Sequence, residues 1–420
     1  MSALPLVFAP RLVHWPKPDK CRMCEQPEDQ GAIAEVRTTM KTDAFDQYLA
    51  RCVQCFLRSQ PVPDWPADLQ VSPDEAALRV TFHGIALLLV EAAPGLPDWP
   101  AELAEAIKQE ARVQSFWELS HAKLVAELVD ALHAAGIQAL ILKGTALAYS
   151  HYPNPALRRR GDSDLLIEDG NRVKARAVFA AAGFRLCNDA RPLQEAWSSG
   201  TDFGFDHTID LHWRISASSA VSELLEANAP RRRIQQLPKL SPNAASIGPV
   251  DNLILICLNR AQHAKFGYLI GKERLFENDR LIWAVDIDLL TSSFEPSHWE
   301  ELVQNASDSA SSDIILSGLD LAQRCLNTPV PEAVLAQLKQ QAGDTQLTDY
   351  LMSGSSTHRL KLDLAASPSW RDKLRLITFK LIPSEDLVRE RFPDAESWPL
   401  AVLHIRRLFS GLGKFIGGRT

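Results

Sequence analysis

The order of apolar and polar residues in the middle of the chain predicts three short strands. Residues 139–142 form an apolar run that ends at Lys143-Gly144, which indicates a strand, a tight turn and then a helix capped by Thr145. Residues 162–167, where two aspartates lead into an apolar run, predict the second strand. Residues 208–213 alternate between polar and apolar and predict the third.

Apolar residues at helical spacing predict helices around these strands. Ser72 begins a capping sequence for a helix over residues 72–93, and a longer helix over 102–135 ends at Ala135-Gly136. A shorter helix over 171–182, stopped by Gly183, completes the order strand, helix, strand, helix, strand of a small α/β core. The remaining predicted helices cover residues 249–264, 278–292, 298–325, 330–342 and 370–415.

These elements predict an α+β fold: a small mixed-sheet core with a helical C-terminal domain and an N-terminal zinc-ribbon-like module. The predicted units are a zinc-ribbon-like module (1–60), a helical connector (61–110), the core (111–215), an irregular crossing (216–248) and the helical C-terminal domain (249–420). Residues 343–370 are polar and rich in Ser and Thr, which predicts a loop within the last unit.

Composition and charge are those of an ordinary soluble protein. Hydrophobic residues make up 46% of the chain and charged residues 23%. The net charge of -7 gives no overall attraction to nucleic acid or to an anionic membrane, although a local basic patch stays possible. No apolar run approaches the roughly 18 residues of a membrane helix, and the N-terminus lacks signal-peptide features. The simplest expectation is a cytoplasmic protein.

Four of the seven cysteines form two Cys-x-x-Cys pairs near the N-terminus: Cys21 with Cys24, and Cys52 with Cys55. In a reducing compartment such pairs indicate metal binding rather than disulfides. Four thiolates on two knuckle turns suit a tetrahedral Zn²⁺ ion and leave no open coordination position. The sequence therefore predicts a structural zinc site without chemistry of its own.

Paired carboxylates on the second and third strands are the main candidate for chemistry. Asp162 and Asp164 share one strand face, and Asp210 and His212 share a face of the third strand. Three carboxylates from neighbouring strands suit Mg²⁺ or Mn²⁺. The alternative is that Asp162 belongs to a turn and Asp164 is a solvated strand residue. For His212, a substrate or ligand contact and a satisfied core position are equally open.

An ordered set of short motifs extends this pattern over roughly residues 75–415. The motifs are Lys143-Gly144, Tyr152-Pro153, Arg159 with Gly161-Asp162-Ser163-Asp164, Gly183-Phe184, Ile209-Asp210-Leu211-His212-Trp213, Arg280-Leu281-Ile282-Trp283 with Asp286, and Leu381-Ile382-Pro383-Ser384. This set resembles the nucleotidyltransferases of the DNA-polymerase-β superfamily, and most closely a bacterial family of uncharacterised nucleotidyltransferases. Two positions depart from the superfamily: Lys143-Gly144 replaces its Gly-Ser turn, and Ser163 stands where an aliphatic residue is usual.

The resemblance implies metal-dependent transfer of a nucleoside monophosphate from an NTP to an acceptor hydroxyl, with release of pyrophosphate. Asp162, Asp164 and Asp210 would be the catalytic metal ligands. The helix N-terminus that contains Lys143, Gly144 and Thr145 would attract phosphate. Arg159 would bind that phosphate through two hydrogen bonds. Within the run Arg158–Arg160, the plain alternative is a solvated face. The acceptor could be a protein, an RNA or a small molecule.

Two other functions stay open at this point. One is a toxin-like nucleotidyltransferase that acts on RNA, which should have a basic groove leading to Asp162. The other is a non-catalytic adaptor that binds a nucleotide or a partner and uses its zinc module for protein contacts. Metal-dependent nucleotide turnover would separate an enzyme from an adaptor.

Overall fold

The fold is taken from a computed structural model of the chain. The structure describes residues 43–187, 193–201, 204–216, 218–226, 233–270, 273–275, 279–352 and 355–381, and near the C-terminus residues 385, 388, 392, 395 and 398–407. Cys21 and Cys24, the first pair of the predicted zinc site, lie outside these residues.

A seven-stranded mixed sheet forms the centre of the molecule. Its strands are β1 (Leu140–Leu142), β2 (Asp162–Leu166), β3 (Arg185–Leu186), β4 (Gln194–Gly200), β5 (Asp206–His212), β6 (Ile234–Gln236) and β7 (Ala245–Ile247). They lie in the order β3-β4-β5-β2-β1-β7-β6. β2 is parallel to β5 and β1 is parallel to β7, while the other pairs are antiparallel. The three predicted strands are confirmed as β1, β2 and β5, which are neighbours.

The additional strands extend this sheet on both sides. β6 and β7 lie in the segment predicted as an irregular crossing, so that prediction was incomplete. β3 and β4 lie between the predicted second helix of the core and its third strand. Each added strand supplies backbone hydrogen-bonding partners to a strand that would otherwise form a sheet edge. The central position of β2 and β5 is therefore a result of tertiary pairing.

Fifteen helices are present in the described part of the chain, and the predicted helices over residues 102–135 and 171–182 are confirmed within one residue at each end. They are α1 (Asp43–Leu57), α2 (Pro73–His83), α3 (Ala86–Ala92), α4 (Ala101–Ala134), α5 (Lys143–Ser150), α6 (Arg172–Ala181), α7 (Ser219–Glu226), α8 (Pro249–Phe266), α9 (Leu281–Ser292), α10 (Pro296–Asp308), α11 (Ser312–Leu326), α12 (Glu332–Gln341), α13 (Gln346–Met352), α14 (Ser356–Ala366) and α15 (Trp370–Leu381). A separate hairpin, β8 (Tyr268–Ile270) with β9 (Glu273–Leu275), interrupts the helical C-terminal region. No described helix is long and apolar enough to cross a membrane.

The predicted helix over residues 72–93 begins as expected but is divided in two. Ser72 and Glu75 form a capping box at the start of α2. The helix ends at Gly84, which has φ +69° and closes the last turn through backbone hydrogen bonds. A Cβ at this position would stand 2.9 Å from Nη2 of Arg280. Gly84 therefore allows both the left-handed backbone and the close approach of that arginine.

The second cysteine pair does not form the predicted knuckle. Cys52 and Cys55 lie on helix α1, and both are buried. Phe45, Leu49 and Cys52 of this helix belong to one apolar core with residues of the C-terminal helices α8, α9 and α11. Burial raises the pKa of Cys52 to about 11, which favours the thiol over the thiolate that zinc requires. The knuckle prediction was wrong at this pair, and the four-cysteine zinc site stays a prediction.

The predicted loop over residues 343–370 is largely helical. It contains α13 and α14, which pack against α7. Buried Asp363 of α14 accepts hydrogen bonds from Ser218 Oγ (2.7 Å) and Tyr350 Oη (2.9 Å). The Ser- and Thr-rich composition suggested a loop, but capping and a buried carboxylate give these polar residues partners inside the fold.

Candidate active site

Parallel pairing of β2 with β5 brings the predicted acidic residues to one face of the sheet. Asp162 pairs with Thr208, Asp164 with Asp210, and Leu166 with His212. Since residues opposite each other and two apart on neighbouring strands share a face, Asp162, Asp164, Asp210 and His212 all lie on the same side. The predicted convergence of strands is confirmed.

Two carboxylates and one imidazole are close enough together to hold a metal ion. The ligand atoms of Asp164, Asp210 and His212 all lie within 4.8 Å of one another. His212 Nε2 is 3.0 Å from Asp164 Oδ1, and Gln194 Nε2 donates a hydrogen bond to Asp210 Oδ2 at 3.2 Å. Asp162 shares the face but stands outside this set of mutually close atoms. His212, whose role the sequence left open, is thus placed as a candidate ligand.

Lys143 supplies a positive charge at the same place. It is the first residue of α5 and has a left-handed backbone, φ +53°, which is uncommon for a residue with a Cβ. Its ammonium donates a hydrogen bond to Asp164 Oδ1 at 2.5 Å. Burial lowers the pKa of Lys143, but Asp164, Asp162 and Asp210 outweigh that effect and raise it. The carboxylates therefore already stabilise a cation.

The paired aspartates have different electrostatic environments. Burial and the neighbouring charge of Asp164 raise the pKa of Asp162 to about 6. Lys143 and two arginines oppose this shift. Burial would also raise the pKa of Asp164, but Lys143 and His212 lower it below its usual range. Without a metal ion, Asp164 is ionised and Asp162 is the carboxylate that takes up a proton first.

Behind the acidic face, a buried polar network explains Ser163. Ser163 Oγ lies 2.7 Å from both His121 Nε2 and Thr145 Oγ1. His121 Nδ1 shares a hydrogen bond of 3.1 Å with His207 Nδ1. An aliphatic residue at position 163 would leave these groups without a partner. The serine at position 163, where the superfamily usually has an aliphatic residue, therefore matches the polar groups that pack beneath β2.

Thr145 does not cap the helix that follows β1. Helix α5 begins two residues earlier, at Lys143, and Leu142 occupies its N-cap position without a side-chain hydrogen bond. Thr145 is buried and its hydroxyl contacts Ser163 instead. The capping prediction was wrong, because the turn was assigned to Lys143-Gly144 when these residues already belong to the helix.

The three arginines before β2 are held inside the fold, so the solvated-face alternative was wrong. Arg158 donates two hydrogen bonds of 2.7 Å to Asp286. Arg159 donates to Thr81 O at 2.7 Å and lies 3.3 Å from Glu110, and Arg160 is paired with Glu118 at 2.8 Å. Their side chains are exposed by 7%, 15% and 3%, respectively.

Arg158, rather than Arg159, lies against the predicted phosphate turn. A Cβ at Gly144 would stand 3.2 Å from the guanidinium carbon of Arg158. Glycine at this position therefore permits the close approach of the arginine to the start of α5. The predicted nucleotide contact of Arg159 stays a prediction, and its present partners belong to α2 and α4.

Strand pairing, a carboxylate cluster and a lysine at a helix N-terminus together define the acidic face of a nucleotidyltransferase core. The sequence supports the same class independently. The chain belongs to the family described as uncharacterised nucleotidyltransferases, whose model matches residues 70–327. No curated protein matches the chain.

Proposed function

We propose that this protein transfers a nucleoside monophosphate from an NTP to an acceptor hydroxyl, with release of pyrophosphate. The proposal is carried by the cluster of Asp164, Asp210 and His212 beside the ammonium of Lys143. Family membership supports the general reaction class.

A divalent ion fits this cluster. Carboxylate oxygens are the protein ligands that suit both Mg²⁺ and Mn²⁺. Asp162, Asp164 and Asp210 would hold the metal, with His212 as an additional ligand. When bound, the metal would lower the pKa of the attacking hydroxyl and offset charge on the phosphates. Lys143 fits the same role of neutralising charge, because its ammonium already contacts Asp164.

The start of α5 is the proposed position of the phosphate chain. The backbone N–H groups of the first helical turn lack partners within the helix and attract anions. Lys143, Gly144 and Thr145 belong to this turn. Lys143 adds a point charge and Gly144 keeps the backbone accessible. Asp210 would accept the proton of the acceptor hydroxyl, with Gln194 holding that carboxylate in place.

The test follows two labels in parallel. Wild-type protein is incubated with cell lysate, Mg²⁺ or Mn²⁺, and each NTP carrying label at either the α- or the γ-phosphate. We expect the α-label to be transferred to an acceptor, and the γ-label to leave as pyrophosphate. Asp164→Asn should abolish transfer, because it removes a proposed metal ligand. Asp169→Asn is the matched control, since this neighbouring carboxylate is exposed and pairs only with Arg172 in the described structure.

Each other outcome has its own meaning. Transfer of the γ-label would show a phosphoryl transferase. Transfer of the α-label to RNA alone would assign the toxin-like activity. If no label moves, and Mg²⁺ with NTP does not raise the melting temperature of the wild type, the protein is a non-catalytic adaptor.

A further inference from the structure

We propose that Arg280 forms a second anion-binding subsite, which takes a phosphate group of a substrate at the edge of the acidic face. The reaction that this subsite would serve rests on the proposed function, whereas the presence of the subsite does not. Arg280 immediately precedes α9 and is 3% exposed.

The contacts of Arg280 include no carboxylate among the described residues. Its Nε donates a hydrogen bond to the carbonyl of Phe82. Its guanidinium carbon lies 3.8 Å from the ring centroid of Tyr268 and 5.7 Å from that of Trp283. These contacts fix the plane of the guanidinium group without neutralising its charge.

Four other arginines with largely buried side chains have acidic partners. Arg79 pairs with Asp46, Arg158 with Asp286, Arg160 with Glu118 and Arg260 with Asp279. A buried charge without a counter-ion is costly, and proteins keep one where a ligand supplies the opposite charge. Burial, together with Arg159 and Arg158, lowers the pKa of Arg280 to about 10, although Tyr268 opposes this effect. Its environment therefore favours the arrival of an anion.

The position of Arg280 connects it with the acidic face. At Gly84, a Cβ would lie 2.9 Å from Arg280 Nη2 and 3.7 Å from Arg159 Cβ, so both arginines meet at this turn. His263 of α8 lies against the aromatic rings that contact Arg280, with its ring centroid 5.5 Å from that of Tyr268 and 6.0 Å from that of Trp283. Burial lowers the pKa of His263, and the charges of Lys143 and Arg280 lower it further, while Asp164 opposes them. Lys143 and Arg158 have ion-paired carboxylates, whereas Arg280 has none among the described residues. Asp286, whose pKa burial raises and Arg280 helps to lower, is hydrogen-bonded to Arg158 instead.

A guanidinium held flat against an aromatic ring presents its N–H groups in a planar fork that matches phosphate oxygens. The ligand is therefore a phosphate-bearing molecule. Two sources share this chemistry: the polyphosphate of the NTP, and a phosphate of the acceptor. Arg280 meets Arg159 at Gly84, and the adjacent Arg158 lies against Gly144 of the proposed phosphate turn, which favours the polyphosphate.

The experiment measures anion binding by calorimetry, without requiring turnover. Wild type and Arg280→Gln are titrated with tripolyphosphate plus Mg²⁺, and separately with ribose 5-phosphate. We expect Arg280→Gln to weaken the binding of tripolyphosphate by about ten- to a hundredfold, the effect of losing hydrogen bonds to a charged group. Arg280→Lys keeps the charge but not the fork, and should give an intermediate loss.

Arg260→Gln is the matched control. Arg260 is also buried, but its Nε and Nη2 donate to Asp279 at 2.6 Å and 2.9 Å. Its replacement should lower the melting temperature, because Asp279 loses its partner, and should leave tripolyphosphate affinity unchanged. Arg280→Gln should lower the melting temperature of the ligand-free protein less than Arg260→Gln does, since Arg280 has no ion-paired carboxylate among the described residues.

The outcomes separate this inference from the proposed function. Equal affinity of wild type and Arg280→Gln for both anions, or no binding of either anion by wild type, overturns the subsite. Loss of ribose 5-phosphate binding alone supports the subsite and assigns it to the acceptor. If tripolyphosphate binding depends on Arg280 but no α-label is transferred from any NTP, the subsite stands and the proposed reaction fails.

Discussion

Asp162 and Asp164 stand two residues apart on one strand, yet they differ in their partners. Asp164 is paired with Lys143 at 2.5 Å and with His212 at 3.0 Å, so its charge is stabilised. Asp162 carries the cost of burial and of the neighbouring carboxylate, and its pKa is raised to about 6. The two residues therefore differ in what their removal does to the ligand-free protein, although both are proposed metal ligands.

The first prediction uses this difference. Asp162→Asn should leave the ligand-free protein as stable as wild type or more stable, because it removes repulsion. Asp164→Asn should destabilise it by about 1–3 kcal/mol, because Lys143 loses its partner in a largely buried position. Both variants should lose the stabilisation that Mg²⁺ plus NTP gives to wild type. Thermal melts with and without ligand measure both effects, and an unchanged ligand response in either variant would remove that residue from the metal site.

At the scale of elements, Asp286 ties the segment before β2 to helix α9. It accepts two hydrogen bonds from Arg158 and one of 2.8 Å from Tyr152 Oη, and it is fully buried. All three residues lie in or next to motifs that carry the family resemblance. Since Arg158 also covers Gly144, this link positions the proposed phosphate turn against the helical region.

A double-mutant cycle tests this link. Arg158→Met should destabilise the protein by about 3–5 kcal/mol, because it leaves Asp286 buried without its counter-ion. Adding Asp286→Leu should recover part of that loss, because neither charge then remains. Chemical denaturation of the wild type, both single variants and the double variant gives the coupling free energy. Additive losses would mean that the two residues do not act as a pair.

Helix α1 offers a second prediction at this scale. Its apolar residues pack against the C-terminal helices whether or not a metal is bound. A strong chelator should therefore leave the fold of α1 intact, as measured by hydrogen exchange of its backbone amides. If chelation removes about one zinc per chain and α1 loses protection, the four-cysteine site contributes to its folding, and Cys24→Ser should reproduce that loss.

At the scale of the whole molecule, two apolar cores support the site. One joins helices that precede the sheet in sequence, α1 and α3, to helices that follow it, α8, α9 and α11. The other lies beneath the sheet, where Leu128 and Leu132 of α4 pack with Ile141, Leu165 and Leu211. Arg58, the residue after α1, is also paired with buried Asp288 of α9, 230 residues away in sequence. The acidic face is thus held between elements that are far apart along the chain.

Acid should weaken this fold through its buried histidines. Burial lowers the pKa of His207 to about 4, and burial with nearby Arg160 and His207 lowers that of His121 still further below its usual value. A histidine in the unfolded chain has a pKa of about 6.5. The unfolded state therefore binds more protons between pH ~6.5 and ~4, so stability should be full above this window and fall through it as pH decreases.

Thermal melts over that pH range measure the slope. His207→Gln should reduce the acid sensitivity, because an amide does not titrate there. His133→Gln, an exposed histidine on the same helix as His121, is the control and should leave the slope unchanged. The same slope in all three proteins would show that His207 does not contribute to the response to acid.

The sequence by itself determined the three central strands, the capped helices of the first half and the acidic residues of the site. Each of these depends on local rules: strand periodicity, helix capping and the left-handed turn at glycine. It also indicated the family through ordered motifs. Local rules failed at two residues whose environment depends on parts of the chain distant in sequence. Cys52 lies on a helix that packs against the C-terminal region, and the hydroxyl of Thr145 contacts Ser163.

Only the tertiary structure decided which residues share the site. His212 joins Asp164 and Asp210 because β2 and β5 pair in a particular register. Arg158 lies against the predicted phosphate turn because Asp286 on α9 orients it. Arg280 is distinguished by having no ion-paired carboxylate among the described residues, and no spacing along the chain encodes that. Register, burial and charge pairing depend on contacts between residues that are far apart in sequence. These contacts exist only in the complete fold.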